Sequence, residues 1–411
     1  MAGARRAVNA EARLAGLVAR QRPGWSLDRE FYLDPAVAAA DLAAIWHRRW
    51  LFVAHGVELP EPGCVLALEI GSEPLLLVRG RDGIVRGFAN VCRHRGSRIC
   101  KPGPGRAHRL VCPYHAWTYD LDGRLASDVR GHGVDATELG LRAYRTEEIG
   151  GLVFVSLADD PPDIAPMRAA YASWLEPQGL ARARIAHSVE YRVAANWKVV
   201  FENNRECLHC PVAHREYIRA NYDIHLTDPR RAAEIAARVE AEAARWAAMG
   251  LAAPTLASDM TAAWWRVNRT PLVPGFVTES LDGAAVAPVM GGYRTHDVGT
   301  LRATTFPNFW MHGSGDHAVT TRLLPDGPET TLIRVCWLVD GAAREGRDYA
   351  LDGLTPFWRL TSEQDWELCE NVQRGLRSAR YRPGPFETVK ERNVAQFVAW
   401  YLDELRAAAA T

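Results

Sequence analysis

The sequence lacks an apolar run long enough to cross a bilayer, so nothing in it indicates a membrane-spanning protein. It also lacks an excess of either charge, because 49 Lys and Arg residues balance 49 Asp and Glu residues. That balance argues against the basic surface expected of a nucleic-acid binder or of a protein held at an acidic membrane surface. No internal repeat or low-complexity linker divides the chain.

Nucleotide-binding fingerprints are missing as well. No G-x-G-x-x-G sequence follows a predicted strand, and neither a P-loop nor a flavin motif is present, so NAD(P)H oxidation is assigned to a separate protein. Cysteine is scarce: eight residues are spread over 411 positions, and a chain of this size has no need of disulfides for stability. Scattered thiols predict a reducing, cytoplasmic setting.

Hydrophobic residues make up 48% of the chain, enough for a large core shared by two domains. From residue 48 to 160 short apolar strands alternate with turns, which predicts a small all-β domain ending near Asp159–Pro162. Residues 1–47 are predicted to form an N-terminal helical segment that packs on the second domain. Residues 161–411 predict a sheet covered by helices, so the predicted fold class is α+β.

Two short motifs inside the predicted β domain each pair a cysteine with a histidine. They are Cys92-Arg93-His94 and Cys112-Pro113-Tyr114-His115, with seventeen residues between the two. Two thiolates can hold one iron of a 2Fe–2S cluster while two imidazoles hold the other. The alternative is a structural Cys2His2 zinc site, which usually brackets a helix in a much smaller fold. Because each pair lies on a predicted turn between strands, the motifs indicate a Rieske-type cluster.

A second metal-binding pattern lies within residues 202–214. Glu206 and His209 are three residues apart, which places them on one face of a helix. Pro211 disfavours helix at the residue before it, so His214 should approach the same point from another direction. A facial metal site requires such an arrangement, with a third ligand from elsewhere if the metal is iron.

The same stretch permits other interpretations. Cys207 and Cys210 could form half of a zinc site or a redox pair. The two histidines and the glutamate could also be ordinary polar residues of a loop. The cluster motif about ninety residues earlier is what favours the metal-binding interpretation.

Asp365 is the predicted third ligand. Thr361 and Gln364 have capping-box spacing, so a helix is predicted to begin there. This helix is predicted to bury Leu368, Cys369, Val372 and Leu376. Asp365 precedes them by three, four, seven and eleven positions and therefore shares their face. A buried carboxylate must be paired or bind a metal, whereas an Asp placed only to favour the helix dipole would not be buried.

With these motifs the chain resembles the α subunits of Rieske-type non-haem iron oxygenases. The matching segments are 90–96, 112–125, 196–214, 364–375 and 381–385, in the same order and spacing. The resemblance implies an N-terminal Rieske domain and a C-terminal helix-grip catalytic domain. It also implies a mononuclear iron bound by two histidines and a carboxylate, which match His209, His214 and Asp365.

The resemblance further implies a route for electrons. In the family, an acidic residue three positions before the first iron-binding histidine connects it to a Rieske histidine, usually of the neighbouring subunit. Here that residue is Glu206, where the family most often has Asp, and its partner would be His115 or His94. A separate NAD(P)H-dependent flavin or ferredoxin reductase would supply the electrons, and the oligomer would be a trimer. Ala116 stands where the family usually has Gly, a departure expected to be minor.

Two stretches are similar to the branch of the family that demethylates quaternary ammonium compounds such as glycine betaine and proline betaine. They are residues 202–207 and 274–283. A quaternary cation has no hydrogen to donate, so aromatic faces must bind it. The candidate faces are Trp264, Trp265, Phe309 and Trp310. Leu208 stands where these demethylases often have Tyr.

Three function classes remain after these steps. The first is a monooxygenase that removes an N-methyl group from a betaine, and the second is a Rieske oxygenase of an aromatic or natural-product substrate. The third is a non-enzymatic electron carrier or zinc-binding scaffold. The predicted His209, His214 and Asp365 set disfavours the third class, because a carrier has no use for an open iron site.

Overall fold

The computed structural model of the chain describes residues 2–127, 136–222, 229–252 and 264–409. Its helices are α1 Ala2–Ala19, α2 Glu30–Leu33, α3 Pro35–Asp41, α4 Ala165–Leu175, α5 Trp197–Asn204, α6 Cys210–Ala213, α7 Arg215–Ala220, α8 Pro229–Ala248, α9 Leu351–Leu354, α10 Pro356–Leu376 and α11 Arg392–Ala409. Among these described helices, none combines the length and apolar character that crossing a membrane requires.

The strands are β1 Leu51–His55, β2 Cys64–Ile70, β3 Glu73–Arg79, β4 Val85–Ala89, β5 Gly103–Arg106, β6 Leu110–Val111, β7 Thr118–Tyr119, β8 Leu125–Ser127, β9 Ala143–Ile149, β10 Leu152–Ser156, β11 Arg184–Val193, β12 Trp265–Thr270, β13 Thr300–Thr305, β14 Phe309–Gly313, β15 His317–Pro325 and β16 Thr331–Val339. All the paired strands are antiparallel, so neighbouring strands can be joined by short turns.

The N-terminal domain is all β, as predicted. Seven strands form one sheet in the order β1-β10-β9-β4-β3-β2-β5, and β6-β7-β8 form a smaller sheet beside it. Taken by itself, the apolar pattern of residues 110–119 predicts one continuous strand, and that prediction is wrong. Cys112 to Trp117 instead form a loop between β6 and β7, because Pro113 cannot donate to a strand ladder.

The C-terminal domain contains a six-stranded sheet in the order β11-β16-β15-β14-β13-β12, and the long helix α10 packs against it. The apolar pattern of residues 301–310 predicts a single strand, and this prediction is wrong as well. Residues 306–308 form a turn that separates β13 from β14, since Pro307 interrupts the extended run. The α+β fold class, with a β domain followed by a helix-covered sheet, is confirmed.

The helix α10 begins five residues earlier than predicted, at Pro356. The capping-box interpretation of Thr361 is therefore wrong: this residue lies inside the helix, and its hydroxyl donates to the Phe357 carbonyl at 2.9 Å. Cys369 and Leu376 are buried as predicted, but Val372 is 51% exposed. The apolar face is narrower than the sequence pattern indicated, and Asp365 lies at its edge.

The N-terminal helices pack on the catalytic domain, and Asp41 connects the two. This buried carboxylate accepts from the Lys198 ammonium, from the Tyr401 hydroxyl at 2.7 Å and from Trp197 Nε1 at 3.1 Å. Burial lowers the pKa of Lys198, while Asp41 opposes that change. A buried ion pair with further hydrogen bonds holds its elements in one arrangement. It anchors α5, the helix that leads into residues 205–214.

Candidate metal centres and substrate cavity

The two cysteine–histidine motifs lie on loops of matching shape. The amide of Gly96 donates to the Cys92 carbonyl, and the amide of Ala116 donates to the Cys112 carbonyl, both at 3.0 Å. Gly96 has φ 74° and Ala116 has φ 57°, in the left-handed region that glycine adopts without strain. An alanine there costs about 1–2 kcal/mol. Ala116, which stands where the family usually has Gly, therefore occupies a position whose backbone conformation favours glycine.

The four predicted ligands of the cluster fit an iron–sulfur group. Cys92 and Cys112 are buried, and neither forms a disulfide. Burial raises the pKa of Cys112, but hydrogen bonds from amides of its own loop lower it below the ordinary value. The rings of His94 and His115 meet edge to face, with centroids 4.7 Å apart, nearer the surface. Buried thiolates beneath two outward imidazoles suit a cluster with one iron on each ligand type.

Replacing Cys92 by Ser should abolish the visible and electron paramagnetic resonance spectra of the cluster, since a hydroxyl is a poor iron–sulfur ligand. Wild-type protein should hold two cluster irons with acid-labile sulfide and about one further iron per chain. Cys64→Ser is the matched control, because Cys64 lies on β2 outside the cluster loops. Zinc at full occupancy without sulfide would contradict the cluster assignment.

Three elements bring His209, His214 and Asp365 together. His209 immediately precedes α6, and His214 lies between α6 and α7. Asp365 comes from α10, with its Oδ1 2.9 Å from His214 Nε2 and 3.3 Å from His209 Nε2. The expected helix through Glu206 and His209 is wrong, because α5 ends at Asn204 and Pro211 lies in the first turn of α6. The non-helical backbone at His214, between α6 and α7, lets the two imidazoles approach from different directions. The predicted ligand set therefore converges on one point.

Each imidazole is oriented by a second hydrogen-bond partner. Nδ1 of His209 is 2.5 Å from Oε1 of Glu206, and Nδ1 of His214 is 2.7 Å from Oε1 of Gln364. Such partners fix the tautomer that leaves Nε2 available to a metal. Sequence reasoning placed Glu206 correctly beside His209. It missed the role of Gln364, whose adjacency to the carboxylate ligand on α10 was the available signal.

The electrostatics of the triad favour a positive charge at its centre. Burial lowers the pKa of His209, but hydrogen bonds to Asp365 and Glu206 raise it to about 9. Burial raises the pKa of Asp365, but its contacts with His209 and His214 lower it below the usual range. Two imidazoles and one carboxylate facing one point are the ligands of a 2-His-1-carboxylate iron site. The donor set therefore fits a mononuclear iron.

Cys207 and Cys210 are joined by a disulfide on the same loop. The expectation of a chain without disulfides is wrong here, because the local turn brings the two Cα atoms to 5.0 Å. The pairing fits the redox-pair interpretation and leaves no thiolates for a zinc site. Cys210 Sγ lies 3.9 Å from His209 Nε2, so this disulfide forms part of the wall beside the metal position.

A cavity opens beside the triad, between the sheet and α10. The strand register places side chains in two rows along its wall: Arg266, Thr304 and Trp310, then Asn268, Arg302 and His312. From α10 comes Trp358, about two helical turns before Asp365. Its ring lies 4.2 Å from that of His312 and 5.9 Å from that of Tyr217. The cavity therefore combines aromatic and basic side chains.

One of the four predicted cage residues, Trp310, lines this cavity. Phe309 faces the other side of β14, where its ring is 4.5 Å from that of Phe52 in the core between the domains. Trp265 packs in the same core, and Trp264 is half-buried against it. The physical reason is strand alternation, since successive side chains point to opposite faces. Trp358 and Tyr217 supply the aromatic surface in place of the three other residues.

Three arginines that sequence reasoning did not single out also line the cavity: Arg205, Arg266 and Arg302. The buried Nε atom of each has no hydrogen-bond partner. No carboxylate in the described part of the chain forms a salt bridge with them. Burial and the neighbouring arginines lower the pKa of Arg205 to about 9 and that of Arg266 to about 10. Positive charge without a salt-bridge partner in a cavity favours an anionic group on the ligand.

Two family models match the chain. The model described as "Ring hydroxylating alpha subunit (catalytic domain)" matches residues 180–407, and the model described as "Rieske [2Fe-2S] domain" matches residues 49–134. The first contains the His209, His214 and Asp365 triad, and the second contains both cysteine–histidine loops.

Relatives match along nearly the whole chain. It is 40% identical to the glycine betaine monooxygenase oxygenase subunit of Chromohalobacter salexigens, over 94% of this chain and 87% of the relative. It is 37% identical to the subunit of the same name from Pseudomonas aeruginosa, over 93% of this chain and 89% of the relative.

Solved structures show the same fold. The quaternary ammonium Rieske monooxygenase CntA in complex with L-carnitine matches with a TM-score of 0.68 and 23% identity, over 93% of this chain and 97% of that chain. The naphthalene 1,2-dioxygenase from Rhodococcus sp. matches with a TM-score of 0.65 and 18% identity, over 93% and 94%.

Proposed function

Since the chain belongs to the ring-hydroxylating α-subunit family of Rieske non-haem iron oxygenases, we propose that it removes an N-methyl group from a betaine-type quaternary ammonium compound. It is an oxygenase, with a Rieske 2Fe–2S domain and a catalytic domain that implies mononuclear non-haem iron. The presence of the catalytic domain excludes the electron-carrier class. The names of the two relatives at 37% and 40% identity support the substrate class.

The observation that carries the proposal is the composition of the cavity beside the triad. Trp310, Trp358 and Tyr217 offer ring faces, which attract a quaternary ammonium by about 0.5–2 kcal/mol each. Arg302 and Arg266 offer guanidinium groups without carboxylate partners, which can bind a substrate carboxylate. An uncharged aromatic hydrocarbon would leave these cations buried and unpaired, at a cost in binding.

The charge of the cavity also distinguishes a betaine from choline. Choline carries one positive charge and no anion, so it would bring a further cation beside three arginines. A betaine carries a carboxylate a few bonds from the ammonium, and this carboxylate can offset the positive charge of the arginines. The geometry therefore favours a quaternary ammonium carboxylate over an amino alcohol.

The chain's own residues perform most of the positioning. The rings of Trp310 and Trp358 would hold the trimethylammonium group, and the arginines would hold the carboxylate at the other end. Iron bound by His209, His214 and Asp365 would activate O2 for the transfer of one oxygen atom into an N-methyl C–H bond. The reaction consumes O2, two electrons and two protons, and yields water and an N-hydroxymethyl product, which then releases formaldehyde, the tertiary amine and a proton.

Electrons must come from outside, because a terminal oxygenase of this family needs a separate reductase. We propose a homotrimer in which the cluster of one subunit lies against the Glu206 loop of the next. Exposed apolar side chains beside both centres support this contact: Val111 and Tyr114 near the cluster, and Leu208 and Val212 on the iron loop. Six cysteines remain free thiols beside the one short-range disulfide between Cys207 and Cys210, and we propose a reducing, cytoplasmic setting on that ground.

The test is a substrate panel given to the purified oxygenase with a reductase and NAD(P)H. We expect formaldehyde from glycine betaine or a related betaine, with O2 uptake in proportion, and little from choline or matched tertiary amines. Trp358→Leu should raise the Michaelis constant more than it lowers the turnover of the saturated enzyme. Strong turnover of an uncharged aromatic, with no formaldehyde from any betaine, would contradict the proposal.

A further inference from the structure

A basic pair stands on neighbouring strands of the cavity wall. Arg302 on β13 and His312 on β14 are direct cross-strand partners, and both line the cavity. Side chains of such partners lie about 5 Å apart at their Cβ atoms. Nε of Arg302 is buried without a hydrogen-bond partner. The guanidinium of Arg302 donates from Nη2 to Asn221 Oδ1 at 2.8 Å and also interacts with the Tyr217 hydroxyl.

Behind His312 lies a carboxylate from the segment 274–283. Glu279 is 1% exposed, and its Oε1 is 3.5 Å from His312 Nδ1. Its other oxygen accepts from the Thr300 hydroxyl at 3.2 Å. This arrangement turns Nδ1 of His312 away from the cavity, so Nε2 is the nitrogen that can face the substrate. The side chain of His312 retains 12% exposure.

The charged groups around His312 shift its pKa in opposite directions. Arg302 from β13 disfavours its protonation, and Glu279 from the 274–283 segment favours it. Burial is the largest effect and lowers the pKa of His312 below its usual range. From α10 and α7 the facing groups, Trp358 and Tyr217, carry no charge at neutral pH. Without substrate, His312 is therefore neutral near pH 7.

We propose that Arg302 and His312 together clamp the substrate carboxylate, and that His312 takes up a proton from solvent when the carboxylate binds. The inference rests on the proposed betaine substrate and deepens it by assigning the groups that recognise the anionic end. The carboxylate would lie on the opposite side of the imidazole from Glu279. Two anions then face one imidazolium, which stabilises the charged ring. Glu279 is a positioning residue in this arrangement.

Proton uptake by His312 predicts the direction in which the affinity for the substrate changes with pH. The carboxylate raises the pKa of His312 in the complex above its value in the free enzyme. Between these two pKa values the apparent dissociation constant should rise with pH, by at most about tenfold per pH unit. Above the pKa of the complex the apparent dissociation constant should level off, because His312 is then neutral in both the free enzyme and the complex. Choline has no carboxylate, so its binding should show no such dependence.

The direct test is calorimetry on the holoenzyme without O2, titrated with glycine betaine in buffers of different ionisation enthalpy. We expect uptake of up to one proton per chain with glycine betaine, and none with choline. His312→Gln should abolish the uptake and raise the Michaelis constant by roughly 10- to 100-fold, as expected for the loss of one charge-assisted hydrogen bond. His187→Gln is the control, since this histidine lies on β11 outside the cavity lining.

Glu279→Gln separates positioning from a purely structural role. Loss of its charge should shift the rise of the Michaelis constant to lower pH while kcat changes little, which a packing defect would not do. Binding of glycine betaine without proton uptake, or a His312→Gln variant with an unchanged Michaelis constant, would overturn the clamp and leave the demethylase proposal standing. Absence of formaldehyde from every betaine would instead remove the proposed function and the clamp with it.

Discussion

Glu206→Gln should leave both metal centres loaded while lowering turnover by about 10- to 100-fold or more, as for other partners of metal-ligating histidines. Glutamine has nearly the same size, so the loop should keep its shape. What is lost is the charge that accepts from Nδ1 of His209 at 2.5 Å. If Glu206 also contacts a cluster histidine of the neighbouring subunit, electron transfer between the centres should slow with it. Single-turnover reoxidation of the reduced cluster in the presence of substrate measures that step.

Glu216→Gln provides the control for this variant, because Glu216 lies on α7 outside the cavity lining. It should retain both irons and near-normal turnover. A Glu206→Gln enzyme that lost its mononuclear iron, as His209→Ala should, would mean that Glu206 is a ligand and not a bridge.

Asp365→Ala should remove the mononuclear iron and turnover together while the cluster spectrum persists. The carboxylate is the anionic member of the triad, with Oδ1 within 3.3 Å of both imidazole Nε2 atoms. Without it, two neutral imidazoles remain, and two ligands with no anionic one hold a divalent iron only weakly. The measured iron content should fall from about three to about two irons per chain. Glu367→Gln, two residues along α10 and exposed, should change neither quantity. Full iron content in Asp365→Ala would place the third ligand elsewhere.

Most of the proposed metal ligands could be located from the sequence because their spacing is short-range. Two cysteine–histidine pairs on turns, and Glu206, His209 and His214 around one proline, need only local geometry to be assigned. Asp365 required a longer inference. Its place on one face of a helix was correct, although the helix begins at Pro356 and not near Thr361.

The substrate cavity was harder to predict because it depends on pairing between distant strands. Phe309 and Trp310 are neighbours in sequence but point to opposite faces of β14, one into the core and one into the cavity. Sequence alone does not show which face is covered. The basic side chains Arg302 and His312 were missed for the same reason, since only the antiparallel register makes them partners. Their alternation with apolar residues along β13 and β14 was the signal that could have indicated them.

The most direct test of demethylation is a single turnover of the pre-reduced enzyme with glycine betaine deuterated on its methyl groups. Addition of O2 should yield dideuterated formaldehyde and dimethylglycine in equal amounts, up to about one of each per mononuclear iron, because one oxygen atom enters one methyl group. The reduced cluster and the mononuclear iron should each lose one electron in the same reaction, which together supply the two electrons required. Recovery of intact betaine from an enzyme that holds both metal centres and consumes O2 with an aromatic substrate would contradict the account.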